Sequence, residues 1–457
     1  MLKRKILTFE WILILYFGIQ TLWPEKFSLQ TSLMFFGIIL IVKHFQEGYR
    51  LNIFLFLASQ AIFALTQIFF IRLALMVLSI VSVLYFPMYR FPETMGVFFA
   101  GFKLLKLRNN TECSVYYPTT TLTDPVNYVP SKRAWLRFHR YLKFSGSKLP
   151  SWIFHLGLSF LNYVELPVQF ESPIISKEHL THGKKFPVIL VSHGMACNRN
   201  LYTTFAREWS SNGYIVFSVD HEESIDLPTG YSTKELNSYR FVQVKKRKEA
   251  ILRVLDYISN PENIQDFFDN SGVELDLTRI SVVGQSFGGA AAAYTAMADK
   301  RINGVCILLD PDLESVYEEM KGKSVNMPLL IIRTQSLDAG ILRGKDNKEM
   351  IFELVKNNKE KLKQSMSCSF DKASHISQTD LVLHMPREIM MFNMMKDVNA
   401  VEDYLILNNR LTQNFLDIML YEKDPSGGFA SIDTVIRKFL GFAKKVPRGT
   451  KLIVDKL

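Results

Sequence analysis

The sequence predicts an α/β protein with a mostly parallel central sheet, preceded by an N-terminal helical region that crosses a membrane. Three observations carry this prediction. From residue 91 to residue 457, apolar strands alternate with amphipathic helices, which is typical of a parallel sheet covered on both faces. One strand-to-helix transition, at residues 280–290, contains a Gly-x-Ser-x-Gly motif. Residues 1–90 instead consist of long apolar runs with few charges.

The N-terminal region contains three apolar stretches. Lys3-Arg4-Lys5 precedes a first run from Ile6 to Trp23, a second run covers residues 27–42, and a third covers residues 51–86. The first run resembles a signal peptide, but no small-residue cleavage site follows it and further apolar runs do. The third stretch would be about 54 Å long as a helix, which suits two short crossings with a turn at Arg72. We therefore expect four spans, with three as the alternative.

The charge of the chain indicates what it contacts. Its 457 residues carry a formal net charge of +10. The first hundred residues hold eight basic and four acidic side chains among the apolar runs, which favours a membrane over nucleic acid as the partner. The basic residues that flank the predicted spans place both termini and the α/β domain on the cytoplasmic side. The densest basic run, Lys245–Lys248, is interpreted as a solvated helix face.

Cysteine and histidine spacing gives no sign of a metal or cofactor. The four cysteines are widely scattered, without a Cys-x-x-Cys or paired-histidine pattern: Cys113, Cys197, Cys306 and Cys368. Cys306 lies in an apolar strand and is expected in the core. The sequence therefore predicts chemistry carried by side chains and backbone alone.

The motif at residues 280–290 predicts a nucleophile. Ser286 follows the β-branched strand Ile280–Val283, and small residues continue as a helix through Ala293. Gly284 and Gly288 flank the serine where a Cβ would clash in a sharp turn. The turn would hold the hydroxyl near the positive end of the helix dipole. An idle serine in a glycine-rich turn is the alternative, and the flanking strand and alanines argue against it.

A serine nucleophile needs a histidine base that a carboxylate holds in one tautomer. Of the nine histidines, His375 follows the last predicted strand, Cys368–Phe370, in a loop. His384 is interpreted as a packed helical histidine, and His193 and His221 precede the nucleophile. An order of serine, acid and histidine along the chain is that of the α/β-hydrolases.

The acid and the oxyanion donors are less sharply determined. Asp338 follows the second strand after the nucleophile, the usual hydrolase position, whereas Asp310 follows the first, so the pattern leaves both open. The oxyanion of a tetrahedral intermediate needs two preorganised N–H donors. We expect these to be the backbone N–H of Phe287, directly after the nucleophile, and that of Met195, in the loop after the continuous apolar strand Phe186–Ser192.

Two aromatic-rich segments precede the main βα units. Residues 131–142 and 152–161 are amphipathic as helices. They could pack in the core or dip into lipid beside the site, and the sequence leaves both possibilities open.

Several motifs together resemble the plasma-type platelet-activating factor acetylhydrolases, which are calcium-independent phospholipases A2 of the α/β-hydrolase fold. The matching motifs are Val191-Ser192-His193-Gly194-Met195, Leu201-Tyr202, Gly213-Tyr214-Ile215-Val216, Asp220-His221, Gly284-Gln285-Ser286-Phe287-Gly288-Gly289-Ala290, Leu309-Asp310 and Ser374-His375. The resemblance covers roughly residues 92–445. The chain departs from the usual pattern in two places: Gln285 stands where a histidine is usual, and residues 1–90 resemble the multi-span leader of bacterial members rather than the secreted animal enzyme.

The resemblance implies a specific chemistry. Asp310 would be the acid beside Ser286 and His375, and the oxyanion donors would be Met195 and Phe287. The substrates would be phospholipids with short or oxidised sn-2 acyl chains, hydrolysed through an acyl-enzyme without a metal. A general lipid esterase or thioesterase is the alternative enzyme, and an inactive hydrolase domain used for binding is the alternative from another class.

Overall fold

In the computed structural model of this chain, the described residues are 4–5, 7–50, 52–65, 68–85, 88–123, 126–127, 152, 156, 159, 164–180, 184–221, 231–338, 346–371, 373–384, 401–422, 431–443 and 452–454. Most of the two aromatic-rich segments at 131–142 and 152–161 lies outside these ranges, so their expected helices stay predictions.

The N-terminal region is a bundle of helices joined by short turns. Its helices are α1 (Thr8–Leu22), α2 (Leu29–Gln46), α3 (Ile53–Leu65) and α4 (Phe69–Tyr85), with a 3₁₀ turn at Pro24–Lys26. Within the described ranges, α2 alone is both long and apolar enough to cross a membrane, and the other three are shorter apolar helices. Length and composition thus identify one candidate span near the N-terminus rather than the expected four.

The third apolar stretch is divided into two helices, as the sequence predicts, but the position of the turn was predicted wrongly. Helix α3 ends at Leu65 and α4 begins at Phe69, so Arg72 lies in the first turn of α4. Its guanidinium is buried and donates to the backbone oxygens of Gln20, at 3.2 Å, and Phe63, at 2.8 Å. Arg72 therefore neutralises the negative C-terminal ends of α1 and α3.

A buried charge cluster lies at the opposite end of the bundle, where α1 begins. The Glu10 carboxylate lies 3.2 Å from Arg50 Nε and 3.8 Å from Lys43 Nζ, and it accepts a hydrogen bond from Asn52 at 3.2 Å. Lys43 also pairs with Glu47 at 3.2 Å. Each charged side chain of this cluster therefore has a partner of opposite sign within the bundle.

The remainder of the chain is built on one ten-stranded sheet. Its strands are β1 (Phe99–Lys106), β2 (Glu112–Thr119), β3 (Gln169–Phe170), β4 (Phe186–Ser192), β5 (Ile215–Val219), β6 (Leu275–Gln285), β7 (Ile302–Leu309), β8 (Leu329–Thr334), β9 (Met366–Phe370) and β10 (Leu452–Val454). The spatial order is β10-β9-β8-β7-β6-β4-β5-β2-β1-β3, and strands β5-β4-β6-β7-β8-β9 form a parallel block. The mostly parallel sheet that the sequence predicts is confirmed.

Helices cover both faces of this sheet. They are α5 (Thr203–Ser211), α6 (Thr233–Ile258), α7 (Pro261–Phe267), α8 (Phe287–Ala298), α9 (Tyr317–Met320), α10 (Gln335–Asp338), α11 (Asp346–Asn357), α12 (Leu381–His384), α13 (Val401–Tyr421) and α14 (Ile432–Ala443). Successive strand residues face opposite ways, so Val283 packs in the core under α5, α13 and α14 whereas Val282 packs in the core under α6, α8 and α11. Four 3₁₀ turns accompany them, at Lys177–His179, Leu313–Val316, Lys359–Gln364 and His375–Gln378.

The structure also corrects the C-terminal boundary of the sheet. The sequence predicts Cys368–Phe370 as the last strand, but Leu452–Val454 returns as an antiparallel neighbour of β9. Helices α13 and α14 precede this strand and had no counterpart in the sequence prediction. Between residues 408 and 414, α13 carries a run of buried Asn, Thr and Gln side chains, which hides the apolar period that normally identifies a core helix.

Candidate active site

Ser286 occupies a strained turn at the carboxyl end of the central strand β6. Its backbone has φ 55° and ψ −124°, a conformation that non-glycine residues rarely adopt. The flanking glycines make the turn possible, because a Cβ at Gly284 would lie 2.2 Å from the Gly288 oxygen. A Cβ at Gly288 would lie 2.1 Å from the Ser192 oxygen. The expected strand–turn–helix context of Ser286 is therefore present.

Asp310 follows β7, the strand next to β6, and its carboxylate is fully enclosed. One carboxylate oxygen accepts the Thr334 backbone N–H at 2.7 Å, and the other accepts the Thr334 hydroxyl at 2.6 Å. Its backbone also has a positive φ of 43°, which turns the chain sharply after the strand. Two donors on one carboxylate satisfy the buried charge and fix its direction.

His375 begins the 3₁₀ turn that follows β9, and its ring reaches the Asp310 carboxylate. Nδ1 lies 3.2 Å from the Asp310 Oδ2 atom. The side chain is 22% exposed, whereas that of Asp310 is 0% exposed, so the histidine lies between the buried acid and the open side of the site. With Nδ1 donating to the carboxylate, Nε2 carries the lone pair that a general base needs.

Two further aspartates follow strands β7 and β8. Asp312 pairs with Arg240 at 3.2 Å, and its backbone N–H donates to the Ser286 oxygen at 3.0 Å, so it braces the turn. Asp338, the acid at the usual hydrolase position, is the last residue of α10, after β8. The acid that the resemblance implies, Asp310, is in contact with His375.

The expected oxyanion donors belong to two segments that touch each other. Phe287 is the first residue of α8, so its N–H has no acceptor within the helix. Met195 lies in the turn after β4, next to Gly194. A Cβ at Gly194 would lie 3.4 Å from the Ser286 Cβ and 2.2 Å from Gln285 Oε1, so this turn passes directly over the nucleophile. That the N–H groups of Met195 and Phe287 bind an oxyanion stays a prediction.

Gln285 contacts the candidate base, which sequence reasoning did not foresee. Its Nε2 lies 3.1 Å from His375 Nε2, and its Oε1 accepts the Tyr202 hydroxyl at 2.8 Å. Tyr202 in turn accepts the Gly194 backbone N–H at 2.9 Å. The available signal was its position directly before the nucleophile, where its side chain must lie beside the turn.

The basic run Lys245–Lys248 was predicted to be a solvated helix face, but one of its members, Arg247, is buried. Lys245 and Lys246 are exposed, but Arg247 is 1% exposed. Its guanidinium lies 4.7 Å from the centre of the Phe287 ring and donates to the His193 backbone oxygen. A helix of period 3.6 turns one member of a four-residue run inward, so composition alone could not separate it from its neighbours.

His193 and His221 lie behind the site rather than in it. His193 Nδ1 donates to the Gly194 oxygen at 2.8 Å, and its Nε2 accepts the His221 backbone N–H at 3.1 Å. His221 Nε2 lies 2.9 Å from the Ser192 hydroxyl. Both rings are buried and shape the turn that carries Met195.

Asp380 links the histidine segment to the start of α5. Its carboxylate accepts the Thr204 N–H, and its own N–H donates to the Leu201 oxygen at 2.9 Å. Burial raises the pKa of this carboxyl to about 7, although its hydrogen bonds with Thr204 and the charge of Arg207 oppose the shift. The contact between the histidine segment and the start of α5 therefore includes a carboxyl group that can titrate.

No group of three or more His, Cys, Asp or Glu side chains in the described part of the chain is arranged to hold a metal ion. The four cysteines are buried free thiols. Burial raises the pKa of Cys197, the cysteine closest to the site turn, to about 11, which keeps it in the unreactive thiol form.

Comparison with known proteins places this chain in a family. A family model described as "Platelet-activating factor acetylhydrolase, isoform II" matches residues 84–238 and 222–425. The platelet-activating factor acetylhydrolase of Cavia porcellus is 28% identical over 200 residues, which are 38% of this chain and 44% of that protein. The Gallus gallus protein of the same name is 27% identical over 225 residues, which are 39% of this chain and 53% of that protein.

The chain spans about half the length of the curated relatives that it matches. A solved ferulic acid esterase from Streptomyces cinnamoneus aligns with a TM-score of 0.49 at 17% identity, over 75% of this chain and 96% of that one. Because the family model matches most of the chain, from residue 84 to residue 425, this chain belongs to the platelet-activating factor acetylhydrolase isoform II family.

Proposed function

We propose that this protein is a serine-dependent hydrolase of lipid esters that cleaves the sn-2 acyl group of phospholipids with short or oxidised chains. The hydrogen bond between Asp310 and His375, next to the strained turn that carries Ser286, is the observation that supports it most strongly. These three residues come from the carboxyl ends of three parallel strands, where α/β enzymes concentrate their catalytic groups.

The first half of the proposed reaction forms an acyl-enzyme. Ser286 Oγ attacks the ester carbonyl while His375 Nε2 takes the hydroxyl proton. Asp310 stabilises the resulting imidazolium, and the backbone N–H groups of Met195 and Phe287 bind the oxyanion, each contributing about 3 kcal/mol. Collapse of the tetrahedral intermediate breaks the ester bond, and His375 returns the proton to the leaving alcohol, here a lysophospholipid.

The second half uses water. His375 Nε2 takes a proton from a water molecule, whose oxygen attacks the acyl carbon bound to Ser286. The second intermediate collapses with transfer of that proton to Ser286 Oγ, which releases the carboxylic acid and restores the enzyme. Every proton movement is served by His375, so the proposed mechanism assigns no step to a metal or cofactor.

The substrate class rests on the relatives. Proteins of Cavia porcellus and Gallus gallus that match this chain are named platelet-activating factor acetylhydrolase, which describes removal of an acetyl group from a phospholipid. We extend that activity to this chain because the motifs around Ser286, Asp310 and His375 fall within the matched residues.

We further propose that residues 1–90 form a multi-pass membrane domain and that residues 91–457 form the catalytic domain on its cytoplasmic side. Large apolar side chains cover the outside of the bundle, including Leu15 at 64%, Phe45 at 68% and Phe70 at 78% exposure. Helix α2 is long enough to cross a bilayer, and local thinning around the bundle would let the shorter helices span with it. The bilayer would then supply the phospholipid substrate.

Hydrolysis by the detergent-purified full chain tests this proposal. We expect the rate of acetate release from an sn-2 acetyl phospholipid to exceed the rate of fatty-acid release from an sn-2 long-chain phospholipid at least tenfold. Ser286→Ala should abolish it, whereas Ser281→Ala, a buried serine earlier on the same strand, should not. Preference for a thioester or a neutral lipid ester would favour the general esterase. Binding without hydrolysis of any of these compounds would indicate a binding module.

A further inference from the structure

We propose that Gln285 is a positioning residue that fixes the tautomer and direction of His375 and couples it to the turn that carries the oxyanion donor. The inference rests on the proposed function, since it assigns a role within the same site. It starts from one chain of hydrogen bonds, which runs from the Gly194 backbone through Tyr202 and Gln285 to His375.

The direction of this chain follows from its first member. The Gly194 N–H can only donate, so the Tyr202 oxygen accepts from it and its own proton must go elsewhere. Gln285 Oε1, at 2.8 Å, is the acceptor for that proton. The Cys197 thiol also contacts the Tyr202 hydroxyl, but sulfur is a weak acceptor beside an amide oxygen.

This orientation leaves the amide nitrogen of Gln285 facing His375. The amide nitrogen of Gln285 can only donate a hydrogen bond. His375 Nε2, 3.1 Å away, must therefore accept it with its lone pair. The proton of the neutral ring is then on Nδ1 and is donated to Asp310 at 3.2 Å. Gln285 and Asp310 thus select the same tautomer from opposite sides of the ring, and it is the tautomer that base catalysis requires.

Burial makes the arrangement rigid. Tyr202 is 2% exposed and Gln285 is 3% exposed. Burial raises the pKa of the Tyr202 phenol well above its usual range, so the hydroxyl keeps the proton that it donates. Gly194 leaves room for the amide, because a Cβ there would lie 2.2 Å from Gln285 Oε1 and would displace it. The hydrogen bonds all run in one direction and therefore polarise one another.

The same geometry means that Gln285 must yield during turnover. The lone pair on His375 Nε2 accepts one donor at a time, and the Ser286 hydroxyl needs it for proton transfer. The amide therefore holds the ring in place between turnovers and gives way when the nucleophile engages. A misplaced base typically lowers the rate of the chemical step while leaving substrate binding intact.

The test combines kinetics with a direct measurement of the tautomer. Gln285→Met keeps the shape of the side chain but removes both hydrogen bonds, and it should lower kcat about 10- to 100-fold with KM changed less than about threefold. Gln285→His, whose imidazole can donate an N–H, should recover part of kcat. Tyr202→Phe, which leaves Gln285 in place without its anchor, should have a smaller effect in the same direction.

The control is Gln265→Met. Gln265 also makes two hydrogen bonds, to Val273 and Gly272, but it lies before the start of β6, at the opposite end of the strand from Gln285. The kcat of the Gln265→Met variant should be unchanged. In ¹⁵N spectra of histidine-labelled protein, assigned with His375→Ala, His375 should be the Nδ1–H tautomer in both the wild type and Gln285→Met, because Asp310 still accepts the Nδ1 proton. Its Nε2 signal should shift and broaden in Gln285→Met, where the ring loses its second partner.

The outcomes separate this inference from the proposed function. An active wild type together with a Gln285→Met variant that has normal kcat and an unchanged His375 signal overturns the inference alone. A parallel loss of kcat and rise of KM, with no change in the His375 Nε2 signal, also overturns it, because that pattern indicates a structural role. A wild type that hydrolyses no ester overturns the proposed function, while the His375 Nε2 signal still decides the role of Gln285.

Discussion

The N-terminal bundle and the catalytic domain distribute apolar and charged side chains in opposite ways. In the bundle Lys43 and Glu10 are 0% and 1% exposed, whereas Phe70 is 78% exposed. Around the ten-stranded sheet the apolar residues form two buried cores, and Lys245 and Lys246 face outward. Since side chains partition toward the medium that solvates them, the difference supports the proposal that lipid surrounds the bundle and water surrounds most of the catalytic domain.

The largest expected effect is the loss of turnover when the candidate base is removed, a change confined to the catalytic domain. His375→Ala should lower turnover by several orders of magnitude, up to about 10⁶-fold, because triad members act as one unit. It should not alter membrane association, since that property belongs to the bundle. His179→Ala, at an exposed histidine of the catalytic domain, is the control. Turnover within tenfold of wild type in His375→Ala would show that the base is another group.

The second prediction concerns the acid. Asp310→Asn should lower turnover about 10⁴-fold, because an amide would favour the wrong tautomer of His375. Asp312→Asn should have a smaller effect through the Ser286 turn, since that carboxylate pairs with Arg240. Asp338→Asn should have the least effect. If Asp338→Asn were instead the inactive variant, the acid would lie after β8.

The third prediction tests the contrast between the regions at matched sites. Ile38 in α2 and Val242 in α6 are both large apolar residues on an exterior, at 50% and 47% exposure. Ile38→Lys should cost about 3 kcal/mol if lipid surrounds it, whereas Val242→Lys should cost less than about 0.5 kcal/mol in water. Thermal stability in vesicles and resistance to alkaline carbonate extraction measure the two effects. Equal tolerance of lysine at both sites would contradict a lipid-facing bundle.

The last prediction concerns the pH dependence of stability that Asp380 causes. Its pKa of about 7 lies above that of an exposed aspartate, so the folded state binds an extra proton between about pH 4 and pH 7. The stability of the wild type should therefore fall as pH rises through this window, by roughly 2–4 kcal/mol in total. Asp380→Asn cannot titrate, so its Tm relative to wild type should rise between pH 5 and pH 8. A difference that stays constant with pH would refute the raised pKa.

Local signals predicted much of this molecule. The β-branched strand before Ser286 and the small residues after it determined the nucleophile turn, and the apolar run Phe186–Ser192 matches β4 in both bounds. A strand buried on both faces needs a continuous apolar sequence, so its limits are visible in one dimension.

Other features depended on contacts between distant segments. Arg247 and Gln285 take their positions from packing against Phe287 and His375, which no local pattern encodes. The choice of Asp310 over Asp338 came from family resemblance, because both aspartates follow strands of the same parallel block. Helix α13 was missed because its buried face is partly polar, with Asn408 donating to Gln378 at 2.7 Å.

Labelling of Ser286 tests the central claim most directly. A fluorophosphonate reacts with a serine hydroxyl only where a base and an oxyanion site activate it. Mass spectrometry of the labelled full chain should locate a single adduct on the peptide that contains Ser286. The adduct should be absent in Ser286→Ala and strongly reduced in Asp310→Asn. An active enzyme that carries the adduct on another serine, or that labels equally well as Ser286→Ala, would contradict the assignment of the nucleophile.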